Sequence, residues 1–165
     1  MSFPPPTKDW ASLSKPNPEL ETLLPILGGY QLVTPNTTIH SLRALSAGRK
    51  PSQPLADVIE KDLQIPMRDG ALNRARSYTP QKPPTGGMPL LVLVYGGSWL
   101  MGQLEQEEPN CRAWASKLGG VAISLDHRHA PELPFPGPHN DIYDGVKWVR
   151  FVMKPDDFCW ATNAL

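Results

Sequence analysis

No apolar run in this sequence approaches the ~20 residues that a membrane-spanning helix needs. The first residues, Met1-Ser2-Phe3-Pro4-Pro5-Pro6-Thr7-Lys8, lack the apolar core of a secretory leader, so a soluble chain is expected. Cysteine is scarce: Cys111 and Cys159 are the only two, too few for a disulfide framework and without C-x-x-C spacing for a metal. Both are expected as buried thiols, and with them a cytoplasmic location. There is no excess of either charge, because 16 Lys and Arg balance 16 Asp and Glu. A chain without a net field has nothing to draw it to nucleic acid or another polyanion. No internal repeat is present.

Proline, by contrast, is abundant. The 20 prolines gather before Trp10, from Pro51 to Pro54, and from Pro80 to Pro89, where they mark connections between elements. A length of 165 residues suits one domain. Three segments are expected: residues 1–57 as an irregular arm and a helical cap element, 58–154 as the body of an α/β domain, and 155–165 as an atypical tail.

In the first segment a short helix is expected from Glu19 to Leu24, cut off near Pro25, and a second one capped by Thr37 or Thr38, with Ile39, Leu42 and Leu45 recurring along it. From Val58 the residues favour extended structure, and Asp69-Gly70 is a turn signal before a return strand through Ala75–Tyr78, which predicts an antiparallel hairpin at a sheet edge. Leu90-Leu91-Val92-Leu93-Val94 shows no polar alternation, as expected of a strand in a sheet centre with both faces covered. A helix over Glu105–Leu118, closed by Gly119-Gly120, and a second apolar strand, Val121–Leu125, complete a parallel crossover. A last helix is expected to start near Asn140-Asp141, with Asp141 at the positive end of its dipole, to carry Ile142, Val146, Val149 and Val152 on one face, and to stop at Pro155.

Two of these junctions carry a longer pattern. Tyr95-Gly96-Gly97-Ser98-Trp99, followed by Gly102, leaves the first apolar strand, and Asp126-His127-Arg128-His129-Ala130-Pro131-Glu132, followed by Pro134-Phe135-Pro136, leaves the second. With Ile65-Pro66-Met67-Arg68-Asp69-Gly70, Tyr78-Thr79-Pro80, Asp141 and Trp148, their order and spacing resemble the α/β-hydrolase fold-3 family, the group related to hormone-sensitive lipase and many small esterases. The resemblance runs from about Ile65 to Val152 and implies an incomplete α/β-hydrolase sheet, an antiparallel edge hairpin plus parallel strands, with an amino-terminal helical cap element.

What the resemblance implies about function is carboxylic-ester hydrolysis through a serine acyl-enzyme, with a small ester as substrate and no cofactor. Gly96, Gly97 and Ser98 stand where the family has its oxyanion loop, with the N–H groups of Gly97 and Ser98 as the donors. Ser98 replaces the family's third glycine and Tyr95 its histidine, so a phenol must make whatever hydrogen bonds steady the loop. Trp99 is expected to line the acyl or alcohol pocket together with the helical layer. Arg128 with Glu132 is expected to make buried or half-buried ion pairs that set the second loop, with Asp141 as a further structural residue.

No triad can be assembled. The sequence contains no G-x-S-x-G: Ser98 has Gly96 before it but Leu100 after it, and neither Ser116 nor Ser124 is flanked by glycine. The chain is therefore expected to be the amino-terminal part of such an enzyme, ending before the nucleophile and inactive alone. Its tail, Asp156–Leu165, fits neither the polar loop nor the apolar strand expected there, which suggests a departure from the ancestral reading frame. Without a further strand, Leu90–Val94 would be left as an open edge.

Two other readings use the same residues. His127 and His129, one residue apart on a strand end, project to one side and could ligate a metal with Asp126, His139 or Asp141, but the surrounding Ala-Pro-Glu and Pro-Phe-Pro sequences favour the hydrolase pattern, so no metal is expected. His40 is expected at the surface. A non-catalytic small-molecule receptor on the same fold is the alternative to an esterase, since an altered loop and a missing triad leave the pocket without the chemistry.

Overall fold

The structure is a computed structural model that describes residues 17–23, 25–26, 36–47 and 52–152. The chain divides into two compact units, residues 1–37 and 38–165. In the first, helix α1 spans Pro18–Leu23. Its entry is chemically determined: Asn17 Oδ1 accepts the N–H of Glu19 at 2.9 Å, and Pro18 opens the first turn, where no N–H is needed.

The second unit begins with helix α2, Ile39–Ala47. Thr38 caps it, its hydroxyl accepting the N–H of Ser41 at 3.1 Å. Four strands follow: β1 (Val58–Pro66), β2 (Leu72–Pro80), β3 (Leu90–Val94) and β4 (Val121–Leu125). They form one mixed sheet in the order β1-β2-β4-β3. The β1–β2 hairpin is antiparallel with Val58 opposite Pro80 and Pro66 opposite Leu72. Gly70 turns it at φ 85°, a value that suits glycine, as the Asp69-Gly70 signal required. β2 pairs antiparallel with β4, and β3 parallel with β4.

Between β3 and β4 the chain runs through a 3₁₀ turn, Leu104–Glu107, into helix α3, Glu108–Leu118. Gly119, left-handed at φ 63°, ends α3. Helix α4 spans Gly137–Val152. The two helices cover opposite faces of the sheet. Val121, Ile123 and Leu125 of β4 pack toward Ile142, Trp148 and Val149 of α4, while Ala122 packs toward Cys111, Ala115 and Trp114 of α3. That alternation is the period of two that a strand imposes on its side chains. Gly145 lets α4 approach closely, since a Cβ there would stand 3.1 Å from the Leu125 side chain.

Three placements qualify the sequence reading. First, β3 is the last strand in the order, the open edge expected in the absence of a further strand, and its residues are half-buried. Its apolar run reports that both faces are covered, which α3 and α4 do, but side-chain pattern says nothing of how many strands lie alongside. Secondly, α4 starts at Gly137, almost a turn before Asn140, after Gly137 N donates to Pro134 O at 2.8 Å. Asp141 consequently lies inside the helix, not at its positive end. Thirdly, the buried stripe of α4 is Asp141, Gly145 and Val149, whereas Val146 and Val152 are exposed at 45% and 53%. A polar residue and a glycine at the centre of that stripe hide it from a search for apolar periodicity. Residues 155–165, and with them the expected stop at Pro155, Cys159 and the atypical tail, lie outside the described residues, as does most of the expected arm before Pro18.

Candidate functional site

The chain leaving β3 forms the candidate site. Gly97 O accepts the N–H groups of Leu100 and Met101 at 3.0 and 3.1 Å, closing a tight turn. The turn brings Met101 so near that a Cβ on Gly97 would meet its carbonyl oxygen at 1.8 Å, so glycine is required by contact rather than by φ. Around Gly96 there is open space. Ser98 and Trp99 both adopt left-handed φ, 55° and 61°, an unfavourable conformation for a residue with a Cβ and most of all for a tryptophan. Among the described residues the N–H groups of Gly97 and Ser98 donate no hydrogen bond. Two neighbouring donors are therefore left unengaged in the turn that follows an apolar strand.

The strain is held by contacts on both sides. Trp99 O accepts the N–H of Ala130 at 2.9 Å, and its ring lies 5.0 Å from that of His127 and 4.0 Å from that of His139, which packs in turn against Phe135. Gln106 donates from Nε2 to Gly96 O at 3.3 Å and accepts the N–H of Gln103 through Oε1 at 2.9 Å. Gly102, at φ 119°, has no room for a Cβ, which would fall 2.3 Å from the Tyr95 ring.

Tyr95 itself is buried. Its hydroxyl lies 2.6 Å from Asp126 Oδ1, 3.2 Å from His127 O and 3.0 Å from His129 Nε2, and its ring stacks on His127 at 4.7 Å. The phenol thus supplies the loop's anchoring hydrogen bonds. Burial, helped by the Asp126 carboxylate, raises its pKa, so it stays protonated and donates to that carboxylate. Burial lowers the pKa of His129, and the neighbouring His127 and Arg43 side chains act in the same direction. A neutral His129 with its proton on Nε2 donates to the Tyr95 oxygen.

The second loop is set by two guanidinium groups. Arg128 grips Asp141 with its side chain at 2.6 and 2.9 Å and with its backbone N–H at 3.0 Å, and reaches Asp69 of the hairpin turn at 2.7 Å. Burial works against the Asp141 carboxylate, but the hydrogen bonds from Arg128 overcome it and lower its pKa. Glu132 does not pair with Arg128. Its partner is Arg43 of α2, which binds both carboxylate oxygens at 2.7 Å and holds Glu132 acidic, with a pKa of about 2. Arg43 also donates to Leu100 O and Ala130 O, each at 2.8 Å, and so ties the two loops together. An arginine on a short helix reads as a solvated charge, and no local pattern singles it out. As site residues, Asp126 and His139 enter the sequence reading only as candidate metal ligands, and their pairing with Tyr95 and Trp99 is not legible there because those partners are remote in sequence.

Beside the loop, Arg43, Ala47, Gly102, Gln103 and His129 line a cavity of about 200 Å³, adjoining another of about 380 Å³ lined by Arg43, Arg128, His129, Glu132 and Leu133. Trp99 lines neither. His127 and His129 meet edge to face at 5.1 Å, and among the described residues no three His, Cys, Asp or Glu side chains are grouped to hold a metal.

An exposed glycine turn leaving a parallel strand, anchored to the loop after the neighbouring strand, has counterparts among known proteins. Residues 91–158 match the family described as alpha/beta hydrolase fold. Over these residues the chain is similar to that family, and its fold is that of an α/β-hydrolase. It is 37% identical over 93 residues to an AB hydrolase superfamily protein of Schizosaccharomyces pombe, covering 56% of this chain and 27% of that one. An arylesterase of Saccharolobus solfataricus is 31% identical over 106 residues, covering 64% of this chain and 33% of the relative. Among solved structures, a hyperthermophilic esterase from the archaeon Pyrobaculum calidifontis superposes with a TM-score of 0.60 at 31% identity, over 81% of this chain and 43% of that chain. The chain thus spans less than half the length of these relatives. Its four-stranded sheet is a portion of the α/β-hydrolase sheet, and no helix among the described residues is long and apolar enough to cross a membrane.

Proposed function

We propose that residues 95–102 form the oxyanion loop of a carboxylic-ester hydrolase, with the N–H groups of Gly97 and Ser98 donating to the carbonyl oxygen of the ester as it acquires negative charge. The observation that carries this reading is the pair of unengaged donors on a turn whose glycine cannot be replaced. Gly96 keeps the approach to them open. The relatives named as esterases support the same reaction class. Trp99 forms one wall of the approach, and the cavity between α2 and Gly102 receives one arm of the substrate.

The serine acyl-enzyme also needs a nucleophile and a base, and the 165 residues hold no G-x-S-x-G. These residues therefore bind and polarise a carbonyl without turning it over. Hydrolysis would require a nucleophile from outside this sequence, because donors alone leave only a small part of the acceleration that the complete unit delivers.

A two-part experiment tests the reading. Titrating the chain with a short-chain carboxylate should give saturable amide shifts at Gly97 and Ser98 in NMR spectra, and no such shift would remove the oxyanion assignment. A fluorophosphonate probe and a p-nitrophenyl ester should produce neither label nor turnover. Stoichiometric labelling would show that a serine within these residues is a working nucleophile.

A further inference from the structure

Away from the candidate site, on the α3 side of the sheet, lies a cluster of charges that ester chemistry does not use. Glu108 and Arg112, on adjacent turns of α3, are 1% and 4% exposed. Arg112 pairs with Glu60 of β1 at 2.6 Å and with Glu108 at 3.2 Å, and Arg76 of β2 bridges Glu108 at 2.8 Å and Asp62 at 2.5 Å. Three carboxylates thus face two guanidinium groups, and the cluster carries one excess negative charge.

Into this cluster the chain inserts Ser52. Its N–H and its hydroxyl each donate to Glu108 Oε2 at 3.2 Å, its carbonyl accepts from Arg112 Nη1 at 2.9 Å, and its hydroxyl oxygen also accepts from Arg112 Nη1. One residue therefore makes four contacts to α3, and Asp57 adds a fifth by accepting from the Ser116 hydroxyl at 2.6 Å. The segment between them is otherwise loosely covered: Gln53 to Asp57 are exposed and Ser52 is half-buried. Ser52, Pro54 and the five charged residues line an open cavity of about 340 Å³, large enough for a group added to the hydroxyl to enter.

The sequence before this serine is Arg49-Lys50-Pro51-Ser52, two cations at the positions two and three residues upstream. A protein kinase whose cleft is acidic reads that charge pattern in its substrates. We propose that Ser52 is a phosphorylation site for such a kinase, and that the phosphate unlatches residues 52–57 from α3. In the transfer, Ser52 Oγ bonds to the γ-phosphorus of ATP while the bond from that phosphorus to the β,γ-bridging oxygen breaks. ADP leaves with the electron pair, and the hydroxyl proton passes to the kinase's base.

The consequence follows from charge. A phosphoserine carries about −1.5 to −2 at pH 7. It would stand where a hydroxyl now donates to Glu108, and a phosphate dianion has no proton to donate. The cluster already has more carboxylates than cations, so Arg112 and Arg76 can meet the phosphate only by leaving Glu60, Asp62 or Glu108, and Glu108 is buried. The segment leaves instead.

This inference stands apart from the ester-hydrolase reading, and its readouts do not depend on it. The 165-residue chain and a peptide of residues 46–57 are incubated with the catalytic subunit of a basophilic kinase and MgATP, and the modified residue is mapped by mass spectrometry. Ser52 should be phosphorylated in both, and in the chain the amides of Ser52 and Val58 should then exchange with solvent about tenfold faster. Ser52→Glu should reproduce part of that increase. Ser52→Ala, which keeps the backbone contacts to Glu108 and Arg112, should leave the Val58 amide protected. A chain left unmodified at Ser52 overturns the proposal whether or not the peptide reacts, and so does a phosphorylated chain with unchanged exchange.

Discussion

The Tyr95 hydroxyl lies 2.6 Å from Asp126 Oδ1. Tyr95 leaves β3 and Asp126 leaves β4, so one short hydrogen bond joins the ends of two adjacent parallel strands and fixes where the glycine turn begins. The same carboxylate oxygen accepts the N–H of His127 at 2.8 Å, which seats the second loop as well. Both loops therefore hang from one carboxylate.

Removing that hydroxyl should be costly although it touches no substrate. Tyr95→Phe leaves the ring stack on His127 but strips His129 Nε2 of its acceptor and Asp126 of its strongest donor. A loss of about 1–3 kcal/mol is expected for polar groups stranded this way. Urea unfolding measures it, and a loss below a few tenths would mean that water takes the place of the hydroxyl.

Backbone strain in the turn makes two neighbours respond oppositely. Ser98→Gly removes a left-handed serine, and the strain relieved, on the order of 1–2 kcal/mol, exceeds the added freedom of the unfolded chain, roughly 0.4–1 kcal/mol. A small net stabilisation is expected. Gly97→Ala should destabilise the chain, because its Cβ would press on the Met101 carbonyl at 1.8 Å. Denaturation midpoints of the two variants should move to opposite sides of the parent's.

Acid should loosen the site through His129. Folding lowers the pKa of this imidazole from its ordinary value of about 6.5, so the unfolded chain binds the proton more tightly. The stability that this histidine contributes is fully present above about pH 6.5 and is lost as pH falls through its folded pKa. Unfolding free energies measured across that window should decline, and the decline should be shallower in His129→Gln, whose amide can still donate to Tyr95. Equal slopes in both chains would assign the effect to the carboxylates.

The Cys111 thiol is fully buried among Val58, Tyr78, Ala115 and Ala122, and burial pushes its pKa up to about 12. Little thiolate forms near neutral pH and none of it is accessible, so alkylation should proceed only when α3 lifts from the sheet. Iodoacetamide at mildly alkaline pH, read at the Cys111 peptide by mass spectrometry so that Cys159 is counted separately, should label Cys111 far more slowly in the native chain than in the urea-unfolded one. Comparable rates would mean that α3 opens freely.

Much of the scaffold was legible because its determinants are local. The Asp69-Gly70 turn, a threonine cap at position 37 or 38, the Gly119 stop and the apolar runs of β3 and β4 each depend on residues within a few positions of one another. The order of the glycine turn and the Asp126–Glu132 block was enough to recognise the family. What could not be read were pairings across the chain. Arg43 and Glu132 are 89 positions apart, and Arg43 binds the carbonyls of Leu100 and Ala130, which any residue type presents. Arg128 had several acids within reach, and only the docking of α4 put Asp141, rather than Glu132, beside it. The sequence by itself determined the elements, the glycine at position 97 and the lack of a nucleophile motif, since each depends on residue type or immediate neighbours. Only the tertiary structure decided which charges meet and which donors stay unengaged, because those depend on distances that chain order does not encode.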